Sequence, residues 1–394
     1  MKKRTVYIID SGHDHDALYI KGIKEGWGEE RWNIVPVNFL DAEEVGKFLY
    51  RDVREKREEI AAIISMNLHL FSIETKIRDF VLASGIPIAI WLFDHPTLKE
   101  YINKDLLDGV NLNRLWLICG EPDFIACWQR FFSSDIKIYH KSARLNSREC
   151  YENCDESFSS FQKKEIPLLI PCGIGTNPQK AIDCIGKPQL KKMFYSALNL
   201  LVKNPYMSPH KGIEYLFRKG NARADYNLAL FFTGMVLRYI KYHRRLDVLF
   251  NLPKDAKIVF LGQDYPPKFY EKFKNAVFIP CVPLDEFYNL IKKSQIIINF
   301  ECGPSSLHNR AYNAILTQTA FASHGNNFVD NVFQGGEDFI KYDLKKNDIA
   351  EVLSPYLDNP RKTYELTVNA RNKIVEMEML EDTDQIIELM TSGQ

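Results

Sequence analysis

Residues 294–323 read SQIIINFECGPSSLHNRAYNAILTQTAFAS. Positions 295–300 form a short, largely apolar run rich in isoleucine, the signature of a strand buried on both faces of a parallel sheet. A turn follows at 301–304, and Ser305 or Ser306 is a candidate helix cap. Leu307, Ala311, Ala314 and Ile315 then recur at helical spacing, and 319–323 begins the next strand. The stretch therefore predicts a strand–helix–strand unit with His308 and Arg310 in the first helical turns. Unsatisfied backbone N–H groups and the helix dipole favour an anion there. An arginine at such a helix start suits a diphosphate; the alternative for Arg310 is a surface salt bridge.

Outward from this unit, strands are predicted at 257–261, 277–279 and 339–342, with helices at 267–273 and 284–293 and two or three more at the end. Residues 187–249 read as mostly helical, with breaks near 204–210 and 220. A strand at 166–171 precedes them, and 144–164 reads as a polar loop. The first half alternates in the same way, with strands at 5–9, 32–38, 60–66, 86–92, 115–119 and 136–139 separated by helical stretches. Such alternation predicts parallel sheets wrapped by helices, with ligands at the carboxyl ends of the strands. The fold class expected is α/β, two Rossmann-like domains facing a cleft. The boundaries drawn are 1–165, a mostly helical connection at 166–250, and 251–394.

Composition narrows the class. Lys+Arg and Asp+Glu are both 51, so no overall field recruits nucleic acid or an anionic membrane. Hydrophobic residues at 45% and charged residues at 26% are those of a soluble globular protein, and no apolar run reaches transmembrane length. The eight cysteines are scattered without a disulfide framework or paired zinc-site spacing, which points to a reducing, cytoplasmic setting and no metal centre.

Two loops of the first half gather polar chemistry. Gly12, His13, Asp14, His15 and Asp16 follow the first strand, where a histidine or aspartate suits a general base for a hydroxyl. The alternative is that Asp14 or Asp16 caps the next helix and the histidines are solvated. Asp94 and His95 follow the fourth strand and precede Pro96, which fixes a turn; an Asp-capped turn is the plain alternative. In the second half Gly262 and Gln263 end a strand, and His324, Gly325, Asn326 and Asn327 end another. Glycine and asparagine there suit close backbone approach to a ligand. Arg244 and Arg245 either add positive charge or mark a solvated helix end.

The residues 310–323 and the order Phe333, Gly335, Glu337, Asp338, Tyr342, Asp343, Asn359, Pro360 carry a resemblance. They are similar to the donor-binding half of GT-B glycosyltransferases, and more narrowly to the spore-maturation-protein (CgeB-like) group. The chain departs from that pattern at Asn313, where the group usually has Glu, and at Gln318, where it usually has Gly. The resemblance implies a metal-independent transferase with no cofactor beyond its nucleotide-diphosphate-sugar donor. Its acceptor is a glycan, glycolipid or protein hydroxyl, and hexosyl or a related sugar is moved. Arg310, Ser305 and Ser306 would hold the diphosphate, with His308 beside them, and Asn313 would hold the ribose. Gly12-His13 resembles the Gly-His pair of such enzymes, with His13, Asp14 or Asp94 near the reacting hydroxyl. Two other readings stay open: a non-catalytic nucleotide-sugar or partner-binding protein, motivated by Asn313 and Gln318, and a sugar-nucleotide epimerase.

Overall fold

The computed structural model describes residues 3–12, 20–24, 31–93, 111, 115–131, 136–140, 155–219, 226–300, 307–378 and 385–392. The chain divides into two compact units, Met1–Glu149 with Glu381–Gln394, and Cys150–Leu380.

The first unit holds β1 (Arg4–Asp10), β2 (Trp32–Asn38), β3 (Ile60–Met66), β4 (Ile88–Trp91), β5 (Leu115–Ile118) and β6 (Lys137–Tyr139). All pair in parallel, in the order β2-β1-β3-β4-β5-β6. Every residue of β3 is buried, as a central strand covered on both faces requires, whereas edge strand β2 buries only Ile34 and Val37. Helix α1 (Ala42–Lys56) starts at Asp41, whose carboxylate accepts the Glu43 and Glu44 amides; acidic residues open it and basic ones close it. Its Val45, Leu49 and Val53 lie at four-residue steps and pack into the core beneath the sheet. Helices α2 (Thr75–Ala83) and α3 (Pro122–Phe131) follow before the chain enters the second unit.

The other face of this sheet is covered in part by the last helix of the chain, Gln385–Ser392, through Ile386, Ile387 and Met390. The boundaries drawn from sequence give that helix to the second half. An amphipathic helix advertises an apolar face but not which sheet will receive it.

The second unit opens with a single-turn helix, α4 (Phe158–Gln162), inside the stretch expected to be loop; Ser157 caps it by accepting the Ser160 amide. Its strands are β7 (Ile166–Ile170), β8 (Ile258–Leu261), β9 (Val277–Ile279), β10 (Ser294–Ile298), β11 (Ala320–Ser323) and β12 (Ile340–Lys341). Helices α5 (Gln179–Asp183), α6 (Pro188–Lys203), α7 (Pro209–Lys219) and α8 (Tyr226–Phe250) intervene between β7 and β8. The remainder are α9 (Pro267–Lys272), α10 (Leu284–Lys292), α11 (Asn309–Leu316), α12 (Asn327–Val332), α13 (Ile349–Leu357) and α14 (Pro360–Glu378). The sheet order is β12-β11-β10-β7-β8-β9, again all parallel. Strand β7, assigned by sequence to the connecting segment, is thus an inner strand of the second sheet, hydrogen-bonded between β10 and β8. The helices after it form an elongated crossover rather than a bridge between domains.

Candidate functional site at the second sheet's carboxyl edge

Numbered within its unit, the second sheet runs six-five-four-one-two-three. Its direction of winding reverses between β10 and β7, and a parallel α/β sheet opens a ligand crevice outside the carboxyl ends of the strands at that reversal. The chain leaves β7 through Cys172 and Gly173, β10 through Asn299 and Phe300, and β8 through Gly262 and Gln263.

The β7 and β8 exits touch main chain to main chain. Gly262 has φ +128°, and a Cβ there would lie 2.5 Å from the Gly173 nitrogen. The Tyr265 hydroxyl donates to the Cys172 carbonyl at 2.7 Å, tying the two loops together. Gly262 and Gln263 therefore lie main chain against main chain with the β7 exit.

Arg245, on α8, reaches this point. Its Nη1 donates to the Gly173 carbonyl at 2.9 Å, and its guanidinium lies 5.9 Å from the Phe300 ring centre. Its Nε is buried with no partner, and so is Nη1 of Arg310 on α11. Neither arginine has an ion-pair partner among the described residues. Two guanidinium groups thus approach the reversal point with unused donors.

His308 lies between positive charges. Burial, then Arg310, Lys241 and Arg245, push its imidazole well below its ordinary pKa, so it is neutral. Its Nδ1 accepts the Arg310 amide at 3.1 Å and makes His308 the cap of α11. The sequence predicts a cap at Ser305 or Ser306 and a helix from Leu307; the helix instead begins at Asn309, and both serines lie outside the described residues. A neutral imidazole nitrogen accepts a backbone N–H as a hydroxyl would, so His308 fills the capping role. Asn313, one turn beyond Arg310, is 3% exposed.

Gln318 has φ +50°, the left-handed conformation that closes a helix and that glycine adopts without strain. Its N–H bonds the Ile315 carbonyl at 3.2 Å and the Thr319 N–H bonds the Ala314 carbonyl at 2.7 Å, a Schellman closure of α11. The Gln318 side chain donates to the Glu156 carbonyl at 3.2 Å, a bond glycine could not make.

After β11, His324 is 6% exposed and its pKa is pushed down to about 3 by burial, then by Arg244 and Lys341. Its carbonyl accepts the Tyr206 hydroxyl at 3.2 Å. Gly325 has φ +77°, and a Cβ there would meet Asp330 Oδ1 at 2.5 Å. Asn326 is the cap of α12, its side chain accepting the Val329 amide at 2.8 Å, so that oxygen is already committed to structure. Asn327 is exposed.

In the first unit Gly12 has φ +75°, and its N–H donates to Asp10 Oδ1 at 2.7 Å. His13, Asp14, His15, Asp16, Asp94 and His95 lie outside the described residues. Asn67, not singled out by the sequence, has φ +53° and accepts the Phe93 amide at 3.1 Å, joining the exits of β3 and β4. Among the described residues no helix is long and apolar enough to cross a membrane.

No family model matches the chain, and no curated protein matches it by sequence. Solved structures do match over its length. HepE from Anabaena, bound to UDP-glucose, is 11% identical, with 99% of this chain and 100% of that one covered and a TM-score of 0.51. Sucrose-phosphate synthase from Thermosynechococcus elongatus is 8% identical over 96% of this chain and 98% of its own, with a TM-score of 0.54. A glycosyltransferase from Rickettsia africae is 10% identical over 100% of both chains, with a TM-score of 0.50. At these identities the likeness is one of fold: two Rossmann-like domains in the GT-B architecture.

Proposed function

We propose that the protein is a GT-B glycosyltransferase that moves a sugar from a nucleotide-diphosphate sugar to a hydroxyl acceptor without a metal. The observation that carries this reading is the pair Arg245 and Arg310 at the winding reversal, each with a buried, unpartnered nitrogen. Partly buried cations without a counter-charge are costly, and a diphosphate at this edge would supply it. As the sugar departs, negative charge accumulates on that diphosphate, and fixed guanidinium groups stabilise it in place of a cation. The fold likeness to HepE, solved with UDP-glucose, agrees with such a donor.

Within this reading Asn313 holds the ribose hydroxyls, and the His324–Gly325 loop faces the sugar and phosphates. His13, Asp14 or Asp94 acts at the acceptor hydroxyl. The finer family assignment, the CgeB-like group, rests on the pattern from Arg310 to Pro360. Of its two departures, Gln318 closes α11 in the conformation glycine would take, so that substitution gives no reason to doubt catalysis. The expected setting is the cytoplasm.

The test is thermal denaturation in EDTA with UDP, GDP, ADP and their glucose conjugates, on wild type and Arg310→Ala. A ligand that binds only the folded protein raises its melting temperature by mass action. Stabilisation by one nucleotide class, lost in the variant, supports the reading and names the donor. No stabilisation by any nucleotide in a folded sample would overturn it.

A further inference from the structure

Arg244 and Arg245 are adjacent on α8, and consecutive helical residues project about 100° apart. Arg245 turns to the reversal point, whereas Arg244 borders a separate cavity of about 510 Å³ within the second unit. That volume is in the range of small-molecule pockets. Its apolar wall comes from Val202, Ile240, Val248 and Leu344. Tyr239 and His243 add a flat surface, their rings 4.0 Å apart and inclined by 34°.

The polar part is strongly one-sided. Arg244, Lys203 and Lys345 line the cavity, against the single carboxylate of Asp247. Asp247 is exposed and makes no ion pair with Arg244. The hydrogen bond made by the Arg244 side chain goes to an uncharged acceptor, the Pro205 carbonyl, at 3.3 Å. Burial lowers the Arg244 pKa to about 10, so it is still a cation at neutral pH, held in a largely apolar wall. His243 is neutral, its pKa lowered by burial and only partly restored by Asp247.

From this geometry we infer that the cavity is a second binding site, taking a small amphipathic anion distinct from the nucleotide sugar. A carboxylate, sulfonate or phosphate monoester group meets Arg244 with Lys203 and Lys345, and a flat apolar body lies against Tyr239, Ile240 and Leu344. None of these residues is Arg245 or Arg310, and Arg244 reaches the donor loop only through its charge on His324, so the inference stands whether or not the transferase reading does.

The probe is 1-anilinonaphthalene-8-sulfonate, a flat apolar anion whose fluorescence rises in an apolar site, paired with its neutral counterpart N-phenyl-1-naphthylamine. Wild type is expected to bind the sulfonate saturably at one site, about tenfold or more tighter than the neutral probe, as a charge-assisted contact implies. Arg244→Gln should remove that advantage. Val202→Trp, at a position 57% exposed and so tolerant of a larger side chain, should fill the rim and block both probes. Melting temperatures of the variants confirm that they are folded. Equal binding of the two probes, binding unchanged in both variants, no saturable binding, or displacement of the sulfonate by UDP would each overturn the inference. Displacement would show that the cavity is part of the donor site.

Discussion

Gly173 and Gly262 meet backbone to backbone: a Cβ on Gly173 would fall 2.5 Å from the Gln263 carbonyl oxygen, and one on Gly262 would fall 2.5 Å from the Gly173 nitrogen. Main chain cannot rotate aside as a flexible side chain can. The spacing between the exits of β7 and β8, and with it the seat of the Arg245 guanidinium on the Gly173 carbonyl, depends on two residues having no side chain.

Gly262→Ala is therefore expected to destabilise the protein by about 2–4 kcal/mol, from strain at a positive φ and from overpacking. Urea unfolding measures it. Gly186→Ala is the control, because no atom lies within 4 Å of a Cβ there; it should be neutral within about 0.5 kcal/mol.

Arg310→Met should separate stability from binding. The Arg310 side chain makes no hydrogen bond or ion pair among the described residues, and a buried nitrogen of it is unpartnered. Replacing it with an apolar chain leaves the ligand-free melting temperature equal or higher, since a half-buried charge with no counter-charge is removed. Nucleotide affinity should fall by about tenfold or more, as the loss of a charge-assisted contact implies. Calorimetric titration of both proteins measures the second quantity. A large drop in ligand-free stability would show that Arg310 is structural.

Stability in acid and alkali should share one origin in the first unit. Asp52 is 2% exposed; burial alone would raise its carboxyl pKa, but hydrogen bonds from Tyr7, Lys56 and Arg51 outweigh it and leave the pKa lowered. The Tyr7 phenol is pushed up by burial first and then by its 2.6 Å bond to Asp52. A lowered carboxyl contributes stability above its unfolded pKa of about 4 that is lost as the pH falls below it. A raised phenol contributes stability below about pH 10 that is lost as the pH rises further. Tyr7→Phe should cost about 1.5–3 kcal/mol at pH 7. It should also flatten the alkaline decline by about 1.4 kcal/mol per pH unit. Urea midpoints across pH test both, and an unchanged alkaline slope would contradict the assignment.

At the end of α11, two substitutions dissect Gln318. Gln318→Ala keeps the left-handed strain and loses the bond to the Glu156 carbonyl, so it should destabilise by about 0.5–1.5 kcal/mol. Gln318→Gly loses the same bond but relieves the strain, and should be about 1 kcal/mol more stable than the alanine variant. Equal unfolding midpoints for the two would mean that the backbone there is unstrained in solution.

Local pattern carried much of the architecture. Largely apolar runs such as 60–66 and 295–300 declare buried parallel strands, and the alternation with helices declares the fold class. What pattern could not carry is which partner each element meets. Strand β7 reads the same whether it begins a linker or sits inside a sheet. Arg245 follows another arginine on a helix end that looks solvated, and only the sheet's reversal brings it to Gly173. His308 was legible as a residue near an anion but not as a cap, because its capping strength depends on a neutrality imposed by burial and three cations. The polar loops after β1 and β4, read as the acceptor side, fall outside the described residues except at Gly12.

The last helix, Gln385–Ser392, packs on the sheet begun by residues 4–10. The segments on either side of the second unit thus belong to one unit, and the second is an insertion within it. During synthesis the inserted unit is complete before that helix exists. The sheet face holding Val6, Ile8, Ala62 and Ile64 gains the cover of that helix only after the inserted unit has emerged. The earlier-made sheet is thus the later to be covered, and its apolar face is open to unwanted contacts until that helix arrives.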